Sequence, residues 1–165
     1  MNKTVYWVMI LACLIIIGFL SRQPSQEQDI RPIINRYKPL IEFVQEMPQV
    51  RFPYAGRIVD SWENPADFIQ FIIRKLFHFT FYGFFGVLLI MATGGFYELK
   101  AIRWILAGVF LGAVAAGDEL NQFYTPGRTG CIEDVIVDML GYLVISSVIM
   151  VGVEFIRFST PRRYL

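Results

Sequence analysis

Four apolar runs, at about residues 5–20, 73–93, 101–118 and 132–156, constrain this 165-residue chain more than anything else in it. Each is long enough to cross a bilayer as a helix. From the end of the third run to the start of the fourth, a short stretch carries Asp118, Glu119, Glu133 and Asp134 together with Arg128. Carboxylates at or within a bilayer are costly, so they are usually paired, water-lined or functional. The chain therefore shows where its polar business is concentrated before it shows what that business is.

Composition supports the membrane reading. Hydrophobic residues make up 55% of the chain, including fifteen Phe, and the mean hydropathy of +0.49 is too high for an ordinary soluble domain of this size. Net charge is +1, which gives no electrostatic case for nucleic acid as a partner. The length fits a single membrane domain over 1–165, with four spans and one sizeable extramembrane loop over 21–72. Cys13 falls within the first apolar run and Cys131 in the polar link. A disulfide between them would need incompatible depths, so both are expected as free thiols.

The first run, Val5 to Leu20, carries Tyr6 and Trp7 at its head, where an aromatic belt lies. No small-x-small cleavage site follows it, and the apolar run continues past Cys13, unlike a lipoprotein signal. It reads as a retained transmembrane helix. The loop that follows holds Pro24, Pro32, Pro39, Pro48 and Pro53. Within it Ile33, Ile34, Tyr37, Ile41, Val44 and Met47 recur at helical spacing. That pattern predicts a short amphipathic helix, broken at Pro39, on the membrane surface or on the bundle.

Asn64-Pro65 reads as an N-cap followed by proline at the first helical position. The helix then runs to Thr93, where Gly94-Gly95 stops it. At 1.5 Å per residue it is roughly 43 Å long, more than the hydrocarbon core, so its first turns protrude. The third run contains Gly108, Gly112 and Ala116, a stripe of small residues that allows close helix approach.

With four spans, Lys3, Lys100, Arg103, Arg157, Arg162 and Arg163 share one side. The positive-inside rule puts that side, and both termini, in the cytoplasm. Arg74, Lys75 and His78 then meet the acidic link at the outer face, where Asp134 and Asp138 open the fourth helix. Arg74, His78 and Tyr82 lie one helical turn apart on one face, as do Asp118 and Gln122 on another. Thr125-Pro126-Gly127-Arg128 fits a type II turn that would throw Arg128 back over the bundle. The expected architecture is all-α: four transmembrane helices, a polar cluster at the outer face and an amphipathic extracytoplasmic loop.

The order Lys75-x-x-His78-x-x-x-Tyr82-Gly83, then Asp118-Glu119-x-x-Gln122-Phe123-x-x-Pro126-Gly127-Arg128, then Asp134 and Gly141, resembles the VanZ-like family. The match covers roughly residues 74–145 and none of the first loop. The resemblance implies a small multi-pass protein of the bacterial cell membrane and envelope. The family is named for a member associated with low-level resistance to teicoplanin, a lipid-bearing glycopeptide. The expected partner is thus a membrane lipid, a lipid-linked envelope precursor or a lipoglycopeptide. One departure stands out: the family usually has asparagine where this chain has Asp138.

Two readings of the constellation stay open. In one, the acids, His78 and Arg128 form a buried polar network that locks the helices together. In the other they form a ligand site. Arg128, with Lys75 or Arg74, would hold a phosphate, and Tyr82, Asp118, Gln122 and Asp138 would complete the binding set. A catalytic version makes His78 general base or nucleophile, Asp134 or Glu119 its orienter, and Arg128 the stabiliser of phosphoryl charge. A proton path would need polar groups through the full depth, and the inner halves of the helices lack them. His78, Asp118, Glu119, Asp134 and Asp138 are metal-ligand types, but no dedicated spacing such as HExxH is present. Nor is there a glycine-rich nucleotide loop. Neither metal nor another cofactor is expected.

Overall fold

The computed structural model describes residues 3–95 and 99–159. Arg162 and Arg163, and the side chain of Arg157, which enter the orientation argument, lie outside the described residues. In chain order the elements are α1 (Lys3–Arg22), α2 (Arg31–Ile34), α3 (Lys38–Glu46), β1 (Arg51–Tyr54), β2 (Arg57–Asp60), α4 (Pro65–Ala92), α5 (Lys100–Phe123) and α6 (Ile132–Ser159). Helices α1, α4, α5 and α6 are long and apolar enough to cross a membrane, as their hydropathy predicts. The one sheet among the described residues is the β1–β2 hairpin.

Helix α4 is central. It packs on α6 most extensively, and on α1 and α5. The α4–α6 seam is tight because Gly83 and Gly141 face each other: a Cβ on Gly141 would lie 2.0 Å from the Phe79 carbonyl oxygen. Ser146 Oγ donates to the Gly83 carbonyl at 3.0 Å across the same seam, satisfying a hydroxyl that lipid could not. The tightest use of small residues is thus here, while Gly112 in α5 has only ordinary contact with Met139. Tyr82, Phe85, Ile90, Leu111 and Tyr142 form the core, and Tyr142 Oη donates to the Trp104 carbonyl at 2.6 Å, tying α6 to α5. Outward faces stay apolar: Val109, Val148, Val151 and Phe155 are all exposed. Such surface is unsustainable in water and suited to acyl chains.

The loop differs from its expected form. The helical stretch breaks at Asn35–Tyr37, and Pro39 opens α3 instead of interrupting it. Proline lacks an N–H, which costs nothing in a first turn and a hydrogen bond further in. Because two helices replace one, the apolar stripe splits. Ile34 and Val44 bury against Ala66 and Ile69 of α4, with Ile41 beside them, whereas Ile33, Tyr37 and Met47 are exposed. The loop therefore packs on the protruding turns of α4. Asn64 occupies the N-cap position, yet its side chain makes no capping bond. The hairpin, paired Arg51 with Asp60 through Tyr54 with Arg57, went unforeseen. Its turn, Ala55-Gly56, has both central residues at positive φ (49° and 76°), as tight hairpin turns require.

Candidate functional site

The end of α1, the start of α4, the end of α5 and the start of α6 meet at one end of the bundle, beneath the loop. Asp134 lies in the first turn of α6. Its Oδ1 accepts from Lys75 Nζ and, at 2.5 Å, from Tyr54 Oη of the hairpin. The Lys75 ammonium also sits 4.6 Å from the Tyr54 ring centroid and 5.3 Å from that of Phe71. A cation largely removed from water is thus held by one carboxylate and two ring faces. Burial and the bond to Asp134 push the Tyr54 phenol well above its ordinary range, so it remains a donor.

Behind this pair, Glu119 accepts from the Cys131 backbone N–H at 2.9 Å. Gln122 Nε2 donates to Asp118 at 3.0 Å and to Glu119 at 3.3 Å, linking the two acids of α5. Ligand-type atoms of Glu119, Cys131 and Asp134 lie within 4.8 Å of one another. A cation there would have to compete with Lys75 for Asp134 and with a backbone N–H for Glu119. Cys131 is a free thiol, as is Cys13. Burial, and secondarily the Asp134 charge, push the Cys131 thiol up to about 12. It is protonated at neutral pH, so a metal ion there would have to displace its proton. Maleimide labelling of Cys131 at pH 8 is therefore expected to run at least a hundredfold slower than at an exposed cysteine, roughly in proportion to thiolate fraction. Labelling at the exposed rate would contradict its burial.

One turn further along α6, Asp138 is fully buried at 0% exposure, and its Oδ1 lies 3.1 Å from His78 Nδ1. The partner of His78 is therefore Asp138, not Asp134 or Glu119 as the sequence suggested. The His78 ring stacks on Tyr82 with centroids 6.3 Å apart and planes 11° off parallel. Asp138 Oδ2 and Tyr82 Oη are buried with no protein partner among the described residues. Orphaned buried acceptors and donors are rare and point to water or a ligand.

The turn at 125–128 forms as its residues predict. Gly127 has φ 71° at the position where a type II turn excludes side chains, and Arg128 N–H donates to the Thr125 carbonyl at 3.1 Å. Arg128 does swing back, but onto α1. Its Nε donates to the Gln23 carbonyl at 3.2 Å and its Nη2 to the Leu20 carbonyl at 3.2 Å. These carbonyls lie at the C-terminal end of α1, where a cation is well placed, and that of Leu20 also accepts from Gln28 Nε2. Burial, and the nearby Arg74 charge, hold the Arg128 guanidinium below its ordinary range. Arg128→Ala is thus expected to lower bundle stability by roughly 2 kcal/mol through lost charge-assisted bonds, read as a lower Tm in detergent. An unchanged Tm would mean that water caps α1 equally well.

Two cavities border this machinery. A chamber of about 270 Å³ lies under the loop, walled by Tyr54, Gln70, Arg74, Lys75, Arg128 and Asp134, among others. A slot of about 240 Å³ lies between α1 and α4, lined by apolar side chains and by His78, Tyr82, Asp118 and Gln122. The single polar cavity expected for Arg128, Asp134, His78 and Glu119 is thus divided. Arg128 and Asp134 border the chamber, Arg128 and His78 the slot, and Glu119 neither. The loop supplies Tyr54, Arg31, Arg57 and Asp29 to the chamber, all missed from sequence. The signal that could have found Tyr54 is the Ala55-Gly56 pair between two short, alternating segments.

Taken together, four apolar helices with buried acids, a histidine and basic residues gathered at one end define a multi-pass helical membrane protein with a polar pocket. The VanZ/LLP1 family profile matches residues 6–157, nearly the whole chain, and the protein belongs to that family. The likeness therefore includes α1 and the first loop, beyond the 74–145 core that carries the motifs. No curated protein and no solved structure matches the chain.

Proposed function

We propose that the protein binds an outer-leaflet amphiphile, a membrane lipid or lipid-linked envelope precursor bearing phosphate, and thereby contributes to teicoplanin-type glycopeptide resistance. The observation that carries this reading is the charge around the chamber. Arg31, Arg57, Arg74, Lys75 and Arg128 face Asp29, Asp67 and Asp134. Arg31 pairs with Asp29 at 2.7 Å, Arg57 with Asp67 at 3.4 Å, and Lys75 with Asp134. The Arg31 hydrogen bonds hold the Asp29 carboxyl down to about 2, so that pair is neutral as a unit at any physiological pH. Arg74 and Arg128 are left as the cationic excess, and an anion is what such an excess selects. The neighbouring slot, lined largely by apolar side chains and sharing Arg74 and Arg128 with the chamber, favours an anion that carries a hydrocarbon chain.

The reading places the chamber at the outer face, with both termini cytoplasmic, because the short link at the chamber end carries only Arg128, whereas Lys3, Lys100, Arg103, Arg157, Arg162 and Arg163 fall on the other side in sequence. Gln45→Cys, on an exposed position of α3, should label in intact cells with a membrane-impermeant maleimide. Labelling only after lysis would invert the topology. The function itself is tested by incubating purified protein with membrane lipids and lipid-linked precursors, then identifying bound and newly formed species by mass spectrometry. Absence of any co-purifying amphiphile would remove the proposal.

A second reading, a membrane hydrolase or transferase acting on a phosphate-bearing lipid, is favoured by one observation. Asp138 orients His78 through Nδ1, at the wall of the slot, and Nε2 has no hydrogen-bond partner among the described residues. A new product that disappears in His78→Ala, with binding retained, would select it.

A further inference from the structure

The chamber and the slot share three residues: Gln28, Arg74 and Arg128. Of the two cations, Arg128 is committed to the α1 carbonyls. Arg74 makes no side-chain hydrogen bond or ion pair among the described residues, and every other basic residue around the chamber has a partner. Its depth is also telling. Helix α4 has 28 residues, so it is roughly 42 Å long and exceeds a hydrocarbon core of about 30 Å by about 12 Å. Arg74 is the tenth residue of α4, roughly 14 Å from its start. It therefore lies where protruding helix gives way to hydrocarbon.

The slot beside it has the opposite chemistry. Ile16, Ile17 and Leu20 of α1 face Ile73, Phe77 and Phe81 of α4. Helix α1 buries only Ile10 and Ser21 fully, so it leaves its partner's flank partly uncovered. The pattern of a polar chamber, a lone guanidinium and an apolar slot matches the parts of one molecule: a polar head, a phosphate and a hydrocarbon chain.

We infer that Arg74 is the anchor for the phosphate of an anionic lipid whose hydrocarbon chain lies in the α1–α4 slot and whose head fills the chamber. The inference rests on the amphiphile-binding reading and deepens it by naming the ligand's class and pose. Charge supports it: burial first, and then the Arg74 charge, hold the Arg128 guanidinium below its ordinary range, and an anion between the two cations relieves their repulsion. Energetics divide the labour. Moving a chain from bilayer to an apolar slot gains little, since lipid tails are as apolar as leucine. The slot therefore sets pose and selects for a chain, and affinity comes from Arg74, which presents forked donors to phosphate. Gln28 is partly fixed by its bonds to the Leu20 carbonyl and to Gln23, both 2.8 Å, and steadies the α1 wall of the slot.

The test uses the full chain in phosphatidylcholine nanodiscs, with lysophosphatidic acid as the probe and native mass spectrometry or fluorescence competition as readout. Lysophosphatidylcholine supplies the same chain without net charge, and glycerol 3-phosphate the same phosphate without a chain. Wild type should bind lysophosphatidic acid far better than either. Arg74→Gln should weaken it by roughly tenfold to a hundredfold, Arg74→Lys by less, because charge survives and the fork does not. Ile17→Trp, which fills the slot, should weaken lysophosphatidic acid while leaving glycerol 3-phosphate unchanged. Arg74→Gln should keep the wild-type Tm, since the side chain makes no hydrogen bond or ion pair among the described residues, so a binding loss cannot be mistaken for unfolding. Undiminished binding by Arg74→Gln would overturn the anchor and leave amphiphile binding standing. Equal affinity for glycerol 3-phosphate and the chain-bearing probe would overturn the slot. No binding of any anionic amphiphile by wild type would overturn the proposed function along with the inference.

Discussion

Gly141→Ala is expected to abolish the folded bundle. The added methyl would lie 2.0 Å from the Phe79 carbonyl oxygen and 2.7 Å from the carbonyl carbon. Both atoms belong to the α4 backbone, so no rotamer change relieves the clash and the helices must separate. On the facing wall, a Cβ at Gly83 would lie 2.8 Å from the Gly141 carbonyl oxygen. Overpacking in a core typically costs about 1–3 kcal/mol, and displacement of a whole helix belongs at the top of that range or above. The loss propagates, because Lys75–Asp134, His78–Asp138 and Ser146–Gly83 all bridge this seam. Yield, gel-filtration profile and Tm in detergent should all collapse. Gly152→Ala is the control, since nothing lies within 4 Å of that position. A Gly141→Ala protein with wild-type Tm would mean that α4 and α6 are not in close contact there.

Lys75→Met is the second large effect. It keeps most of the apolar stem that lies by Tyr54 and Phe71 and removes the charge that faces Asp134. A buried carboxylate deprived of its cation typically costs about 3–5 kcal/mol. Tyr54 still donates to it, which spares part of that loss. Adding Asp134→Asn removes the uncompensated charge, so the double variant should be more stable than Lys75→Met alone. Thermal unfolding of the four proteins gives the coupling directly. If the double variant is no better than the single, the ion pair is not the source of the loss. Asp134→Asn alone should also destabilise, because it strands the Lys75 ammonium. Site and scaffold are therefore entangled at Asp134, Arg128 and His78, whose loss would strand the buried Asp138, and they separate cleanly only at Arg74.

That entanglement shows which parts of the site sequence could convey. Hydropathy located the four long helices, because a bilayer leaves an apolar backbone-satisfied helix as almost the only solution. Pro65 and the Pro126-Gly127 pair announced a helix start and a turn, since both act through local sterics. Gly141 admits the close approach of Phe79 for the same kind of reason. That His78 and the acids share a depth followed from counting turns from the ends of apolar runs.

Partners did not follow from such counting. Helical period tells which residues share a face, not which face of which helix meets it. The rotation of α4 against α6 gave Lys75 to Asp134 and His78 to Asp138, and it reversed the expected orienter. The extended reach of Arg128 carried it to α1, whose carbonyls are invisible to any motif around residue 128. The loop was the least legible, because its fold rests on contacts with α4 rather than on its own periodicity. Through it Tyr54 arrives at Asp134 from eighty positions away. Sequence by itself determined that this protein is a four-helix membrane bundle with charge at one end, since desolvation in lipid acts on each segment separately. Tertiary packing alone decided that the charge is split between a chamber and a slot with Arg74 at their seam, because pairing energies depend on distances that only the assembled helices define.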